Sequence, residues 1–374
     1  MATIGDGGAP SQNTVNYDAL LTTTLDAYVG SGSLFDSIFK DSAFLAFLRM
    51  SNAIQKQDGG ERIRAPLMYG TNSTVKSYSQ YETLDTTPQD GMTTAFYPWK
   101  EIGGTISISR LEERQNSGEA AILNLLESKI RQAEMSMRET VNSQLVQGTV
   151  SSATFIPGND AKDMYPLGYF FRKANATDPT AGGNVGNISA SSYSWWRHNT
   201  ATTASGTADT GNAFALNVTT YNGLLTACRR MYNYCARGTG GGPNMVLFDQ
   251  QSFEIYEAAL DAKTRYMNTK MADMGFDSVR LKGAEAIWDE LVPDVNNGDV
   301  DLTDDSNTDG TAFFINTDFY KLIIDSQTDM ITTPFVEPEN QTVRTAKILF
   351  MANAIVSNMR KHGVLYGIDS SISA

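Results

Sequence analysis

Two cysteines and two histidines in a chain of 374 residues leave little material for redox or metal chemistry. A centre with three or more histidine ligands is impossible within one copy. Cys228 and Cys235 lie seven apart in a stretch of helical periodicity, which separates them by about 10.5 Å along a helix. A disulfide needs Cα atoms within about 7 Å, so these two cannot bridge there and read as buried small hydrophobes. Nothing in this cysteine usage calls for an oxidising compartment. Basic charge is short as well: 29 Lys and Arg face 42 Asp and Glu, a net charge of −13. A protein that reads DNA sequence carries a basic footprint, and this chain carries none as a whole. A wall that merely surrounds nucleic acid stays open, with Arg229, Arg230 and Arg237 as a local basic patch. No apolar run approaches the roughly 20 residues that span a bilayer, so no membrane partner is expected. Met1 to Asn16 is polar and rich in Gly, Ser and Thr, without the basic and apolar regions of a secretory signal.

What is present begins with a hydrophobic content of 41%, enough for a real core. Residues 17–55 read as a helical N-terminal arm, in which Leu34, Phe35, Ile38, Phe39, Phe44, Leu45 and Leu48 are crowded enough to require docking. From Gln57 the texture changes. Gly59-Gly60 signals a turn, and Arg62-Ile63-Arg64 alternates as a half-exposed strand does. Residues 70–95 are dominated by Thr, Ser, Gln, Asp and Tyr. They cannot build a core of their own and read as a two-stranded β arm lying on another surface. Phe96-Tyr97-Pro98-Trp99 supplies aromatic contact area, and Thr105 to Ser109 alternates as a strand.

A long amphipathic helix is predicted next, Glu119 to Gln147, twenty-nine residues and about 43 Å. Asn116 stands as its N-cap and Gly148 suits its C-terminal cap. Ile122, Leu126, Ile130, Ala133, Met137, Val141 and Leu145 form one apolar stripe. Residues 155–216 are irregular. Helices are expected over 218–237 and 250–266, separated by the short apolar strand Asn244 to Phe248. Glu285 to Asp309 holds nine acidic residues and no basic one. Ala312 to Ile315 reads as a buried strand, and two late strand-like segments, Thr345 to Met351 and Ala354 to Met359, look for partners in the block at 105–150.

No catalytic constellation stands out. Asp305-Ser306-Asn307-Thr308-Asp309-Gly310 matches the start of a calcium loop, but Asn316 occupies the position of its closing glutamate, so a solvated acidic loop is the better reading. Gly238 to Pro243 is glycine-rich without the order of a phosphate loop. Histidine-based nucleophilic catalysis would need His198 or His362, and no G-x-S-x-G motif is present. Carboxylates are abundant, but nothing singles out a pair. Trp195-Trp196 fits a sugar platform or, more commonly, packing.

The order of parts resembles the major capsid proteins of tailed bacteriophages, the HK-type capsid fold related to encapsulins. Pro166-Leu167-Gly168, then Gly182-Gly183, then Trp195-Trp196-Arg197 is similar to a PxG, GG, WWR progression in one capsid subfamily. Asn244 to Phe248 with the helix after it, Met274-Gly275-Phe276, Val292-Pro293 and Gly363 to Ile368 resemble its later landmarks. Asn184 stands where that pattern has a small residue, and the acidic segment 285–309 is long for it.

The resemblance spans nearly the whole chain and implies an α+β tailed-phage capsid fold with an N-terminal arm, extended β loop, long spine helix, peripheral and axial domains. These map to 1–55 for the arm, 56–104 for the β loop, 105–155 and 331–374 for the peripheral domain with the spine, and 156–330 for the axial domain. The implied function is a structural, non-enzymatic subunit of the icosahedral shell around double-stranded DNA. It would be assembled in the host cytoplasm as pentamers and hexamers and kept in the virion. No cofactor is implied. Scaffolding, portal and decoration proteins and non-specific contact with DNA complete the expected partners. The expected intersubunit contacts are Arg62, Arg64, Tyr69, Tyr78, Tyr81 and Trp99. Lys76 and Lys100 lie near the arm but match no crosslinking motif. The alternatives are another virion component, tail or decoration, and a carboxylate-based glycoside hydrolase.

Overall fold

The computed structural model describes residues 42–115, 125–151, 154–156, 162–171, 184–190, 192–203, 214–216, 218–261, 279–292, 309–338, 341–369 and 372. The readings made for residues 1–41, the Asn116 cap, Gly182-Gly183, Met274 to Phe276 and most of the acidic run and calcium-like loop lie outside them. Contacts divide the chain into two units.

The larger unit takes in Lys40–Gly103, Met137–Thr332 and Leu349–Ala374. Its centre is a seven-stranded mixed sheet. The strand order is Phe214–Ala215, Asn199–Thr202, Gly363–Asp369, Asp309–Ile315, Met245–Phe248, Ala284–Trp288, Val279–Leu281. Met245–Phe248 runs parallel to Ala284–Trp288 on one side and antiparallel to Asp309–Ile315 on the other. All four of its residues are buried, as its unbroken apolar sequence requires for a strand covered on both faces. Helices Tyr221–Cys235 and Gln250–Asp261 pack on the sheet through Leu224, Leu225, Cys228, Met231, Phe253 and Tyr256, which join Phe248 and Phe314 in one core. Thr220 caps the first helix, its hydroxyl accepting from the Gly223 N–H. Both cysteines are free and buried in this core, and burial pushes each thiol up to about 12.

The last strand, Gly363–Asp369, lies inside this sheet between Asn199–Thr202 and Asp309–Ile315. The chain end therefore shares a sheet with residues expected in the axial region. The two late segments read at 345–351 and 354–359 are one strand, Val343–Val356. Its C-terminal part pairs antiparallel with Tyr320–Asp325, which in turn pairs parallel with Ile54–Gln57. The polar Asn353 sits fully buried in mid-strand because its amide is used: Oδ1 accepts from the Tyr165 N–H at 3.2 Å and Nδ2 donates to the Pro98 carbonyl at 2.7 Å.

An aromatic cluster knits this unit around the segment that carries the Pro166-Leu167-Gly168 motif. Phe170 meets Tyr97, Tyr165 and Tyr320 edge-on or tilted, and Phe44 leans on Tyr320. Phe171 stacks on His362, with centroids 4.7 Å apart. Ser42, the N-cap of helix Ala43–Met50, donates to Asn142 Oδ1 at 2.6 Å, and Asn142 donates to the buried Asp289 carboxylate. Burial pushes that carboxyl above the usual range.

The smaller unit takes in Met1–Phe39, Gly104–Ser136 and Thr333–Ile348. Here the outer part of strand Lys100–Ser109 leads into the short helix Arg110–Gln115, and the Arg110 N–H donates to the Thr342 carbonyl. Lys129 reaches the Glu112 carboxylate at 2.8 Å, and that carboxylate also accepts from the Ser109 N–H.

The long helix is Leu125–Val146 in the described residues, so its expected start at Glu119 lies outside them. Gly148 follows it at φ 62°, as the expected C-terminal cap requires. Of the predicted stripe, Met137, Val141 and Leu145 are buried, while Ile130 and Ala133 are only half-buried.

Candidate interaction surface

Strand Ile63–Met68 alternates buried and exposed residues, the pattern that Arg62-Ile63-Arg64 announced. It pairs antiparallel with Met92–Tyr97, from Ile63 opposite Tyr97 to Met68 opposite Met92. Ile63, Ala65, Leu67, Ala95 and Tyr97 turn inward and fix this hairpin to the body. The Tyr97 hydroxyl donates to the Val356 carbonyl at 2.7 Å, and burial raises its pKa. The Phe96 N–H donates to the Gly186 carbonyl in the small turn Asn184–Ser189, and the buried Trp196 indole donates to Val185 in the same turn. The packing reading of Trp195-Trp196 is the one the structure bears out for Trp196.

Beyond Met68 and Met92 the hairpin becomes a loop, so the two strands expected within 70–95 lie instead at Ile63–Met68 and Met92–Tyr97, where apolar residues can turn inward. From Tyr69 to Asp90 every residue but Gly70 and Thr74 is exposed. The loop pairs several of its polar groups locally. Asn72 accepts from Thr74 and Asp85 from Thr87, each through both backbone N–H and hydroxyl. Lys76 pairs with Glu82 at 2.7 Å, and Ser73 donates to Gln89. With these groups occupied, the loop presents apolar surface. Tyr81 is 99% exposed, Val75 80%, Met68 76%, Met92 70% and Tyr78 65%, with Leu84 beside them. Of thirteen exposed large hydrophobics among the described residues, seven lie between Met68 and Met92. That concentration makes the segment the candidate for an interaction surface, since scattered exposed apolar side chains would need no partner.

The six expected contact residues divide by position. Tyr78 and Tyr81 stand bare on the loop. Arg62 and Arg64 are exposed at the hairpin base, Arg62 beside Glu61 at 3.5 Å and Arg64 over the Phe96 ring at 5.9 Å. Tyr69 and Trp99 are engaged with the chain itself: Tyr69 stacks on Trp195 at 4.8 Å, and the Trp99 indole donates to the Gly60 carbonyl at 2.8 Å. Met68, Val75, Leu84 and Met92 complete the exposed set and were not among the sequence expectations. Alternation from Ile63 through Leu67 was the available signal for Met68, since it puts Met68 on the exposed face of its strand.

Among the described residues no group of three or more His, Cys, Asp and Glu is placed to hold a metal ion. No described helix is long and apolar enough to cross a membrane. Gly238 to Pro243 is a turn held by side chains, with Lys361 donating to the carbonyls of Arg237 and Gly241, and Asn316 to those of Gly240 and Gly242.

No protein-family model and no curated protein sequence matches the chain. Solved structures do. A chain of the cyanophage A-1(L) capsid asymmetric unit aligns with TM-score 0.62 and 15% identity over 91% of this chain and 96% of that one. A chain of the cyanophage P-SCSP1u capsid aligns with TM-score 0.51 and 10% identity over 92% and 91%. The likeness shows the fold: this chain has the mixed helix-and-sheet capsid fold of tailed phages that its order of motifs resembles.

Proposed function

We propose that the chain is the structural subunit of an icosahedral phage head. Copies assemble as pentamers and hexamers into the shell that encloses double-stranded DNA. It performs no reaction. The observation that carries this reading is the exposed apolar loop between Met68 and Met92, mounted on a capsid fold. A loop with no core of its own and bare apolar side chains gains by burial against another subunit. In this reading Tyr78, Tyr81, Val75 and Leu84 make the contact, Arg62 and Arg64 flank it, and Tyr69 and Trp99 hold the base. The division into N-terminal arm, β loop, peripheral and axial domains is part of the same proposal, with Gly363–Asp369 joined to the axial sheet. So are a scaffolding protein during assembly, portal and decoration proteins, and non-specific contact with DNA. The acidic balance of the chain keeps that last contact weak. Assembly falls in the host cytoplasm and the product is the virion.

The test is electron microscopy and size-exclusion of the purified chain, with and without co-expressed scaffold. Closed shells are expected; tubes would move the chain to a tail, and a monomer under every condition would overturn the reading. The loop is tested by excising 71–90 and joining Gly70 to Gly91, whose backbones already touch. This cut spares Ala95 and Tyr97, which belong to the folded base. A folded subunit that forms no shells is expected, and normal shells would remove the loop from the assembly contact.

A further inference from the structure

We infer that the stack of Tyr69 on Trp195 is a positioning contact that sets the direction in which loop 71–90 leaves the body. It deepens the proposed arm reading, and it stands on geometry at the neck of the hairpin. Regular pairing ends with Met68 opposite Met92. One step further, the N–H groups of Tyr69 and Gly70 both donate to the Gly91 carbonyl, at 2.9 and 3.3 Å. A Cβ on Gly70 would lie 3.0 Å from the Gly91 Cα, so the two limbs touch where neither has a side chain. The neck can thus bend with no packing of its own to resist it.

Past the neck, the loop's hydrogen bonds among the described residues stay inside the loop. Nothing there points the loop in one direction relative to the body. Tyr69 does. Its ring lies on Trp195 with an interplanar angle of 12°, and its hydroxyl donates to the Asp90 carbonyl at 3.3 Å. One side chain therefore ties both limbs of the neck to the body. Trp195 is itself seated, between Tyr193 at 5.8 Å and Trp196 at 5.7 Å. Trp196 is buried and bonded to the turn that also receives the Phe96 N–H. The stack thus refers the loop to the same rigid element that holds the hairpin base.

An aromatic pair of this kind favours one arrangement by about 2- to 12-fold. The contact biases the loop and leaves it able to adapt to a neighbour.

Pulsed electron resonance on the full chain tests this, at low concentration before assembly. Nitroxides are placed at Tyr81→Cys and Thr226→Cys, both exposed in the native chain, while Cys228 and Cys235 stay buried and unlabelled. A narrow distance distribution is expected with the native stack. It should broaden in Trp195→Ala and in Tyr69→Ala, and return in Trp195→Tyr, with melting temperature unchanged. An unchanged distribution in Trp195→Ala would overturn the inference. If that variant does not fold, Tyr69→Ala reads the same contact from its exposed side, and an unchanged distribution there overturns it equally. Because the readout is a property of the single subunit, a chain that never forms shells leaves it standing, and a chain that assembles with an unaltered distribution sinks it alone.

Discussion

The loop between Tyr69 and Gly91 and the strand Met245–Phe248 face the same requirement in opposite ways. Each must satisfy its polar groups and dispose of its apolar ones. The strand does so within the subunit, hydrogen-bonded on both flanks and buried on both faces. The loop pairs many polar groups with each other and leaves its large apolar side chains bare. On the proposed reading, stability and interaction fall to different parts of one chain. The burial that holds the subunit together comes from the sheet and its helices, and the loop has apolar surface left to bury elsewhere.

The largest effect should follow from cutting into the sheet. Phe314 is fully buried, opposite Val246 and Gly363, in the core shared with the two helices. Phe314→Ala should lose about 3–5 kcal/mol, the usual cost of removing a large aromatic from a core that cannot close over the gap. Urea unfolding of the purified subunit measures it. A loss below about 1 kcal/mol would mean that this sheet is not where the subunit's stability resides.

An intermediate effect is expected from acid, again on the body and not on the loop. His362 is fully buried against Phe171, and its Nδ1 accepts from the Asn316 N–H at 3.2 Å. The proton of the neutral ring therefore sits on Nε2, which has no hydrogen-bond partner among the described residues. Burial first, and the neighbouring His198 second, hold its pKa down to about 3. The unfolded value is about 6.5, so between pH 6.5 and 3 the unfolded chain binds the extra proton and stability falls with falling pH. The slope is about 1.4 kcal/mol per pH unit for this one group, or about 3 kcal/mol by pH 4.5. His362→Gln should lose less stability than the native chain between pH 7 and pH 4.5. Equal losses would show that His362 does not titrate with unfolding.

Much of this division was legible in the sequence. The apolar run Asn244 to Phe248 announced a strand, and of the stripe from Ile122 to Leu145 the members Met137, Val141 and Leu145 are buried while Ile130 and Ala133 are half-buried. The polar texture after Gly70 announced a segment with no core. What could not be read depends on where distant parts meet. Tyr69 and Tyr81 are the same residue type in the same texture, yet one lies on Trp195 and the other is 99% exposed with no ring contact among the described residues. Trp99 likewise turns back to Gly60. Asn353 interrupts an apolar stretch, and only the placement of Pro98 and Tyr165 beside it lets one strand run through. Aromatics and arginines are the usual interface anchors, and a contact set built on them omits the exposed Met68, Val75, Leu84 and Met92.

The smallest effect on stability should come from the loop itself. Tyr81 is 99% exposed and makes no ring contact among the described residues. Tyr81→Ser removes nothing the folded subunit uses, so its urea midpoint should stay within about 0.5 kcal/mol of the native value. The same substitution removes the largest bare apolar ring from the proposed contact, and interface aromatics are the side chains whose loss weakens association most. Shell yield should therefore fall while stability stands still, and adding Tyr78→Ser should deepen the fall with the midpoint still in place. A shifted midpoint would mean that the loop is packed on its own subunit and that the contrast with the sheet is overdrawn. A full yield of shells from the double variant would put the intersubunit contact on another face, because no assembly that buries these two rings can lose both without weakening.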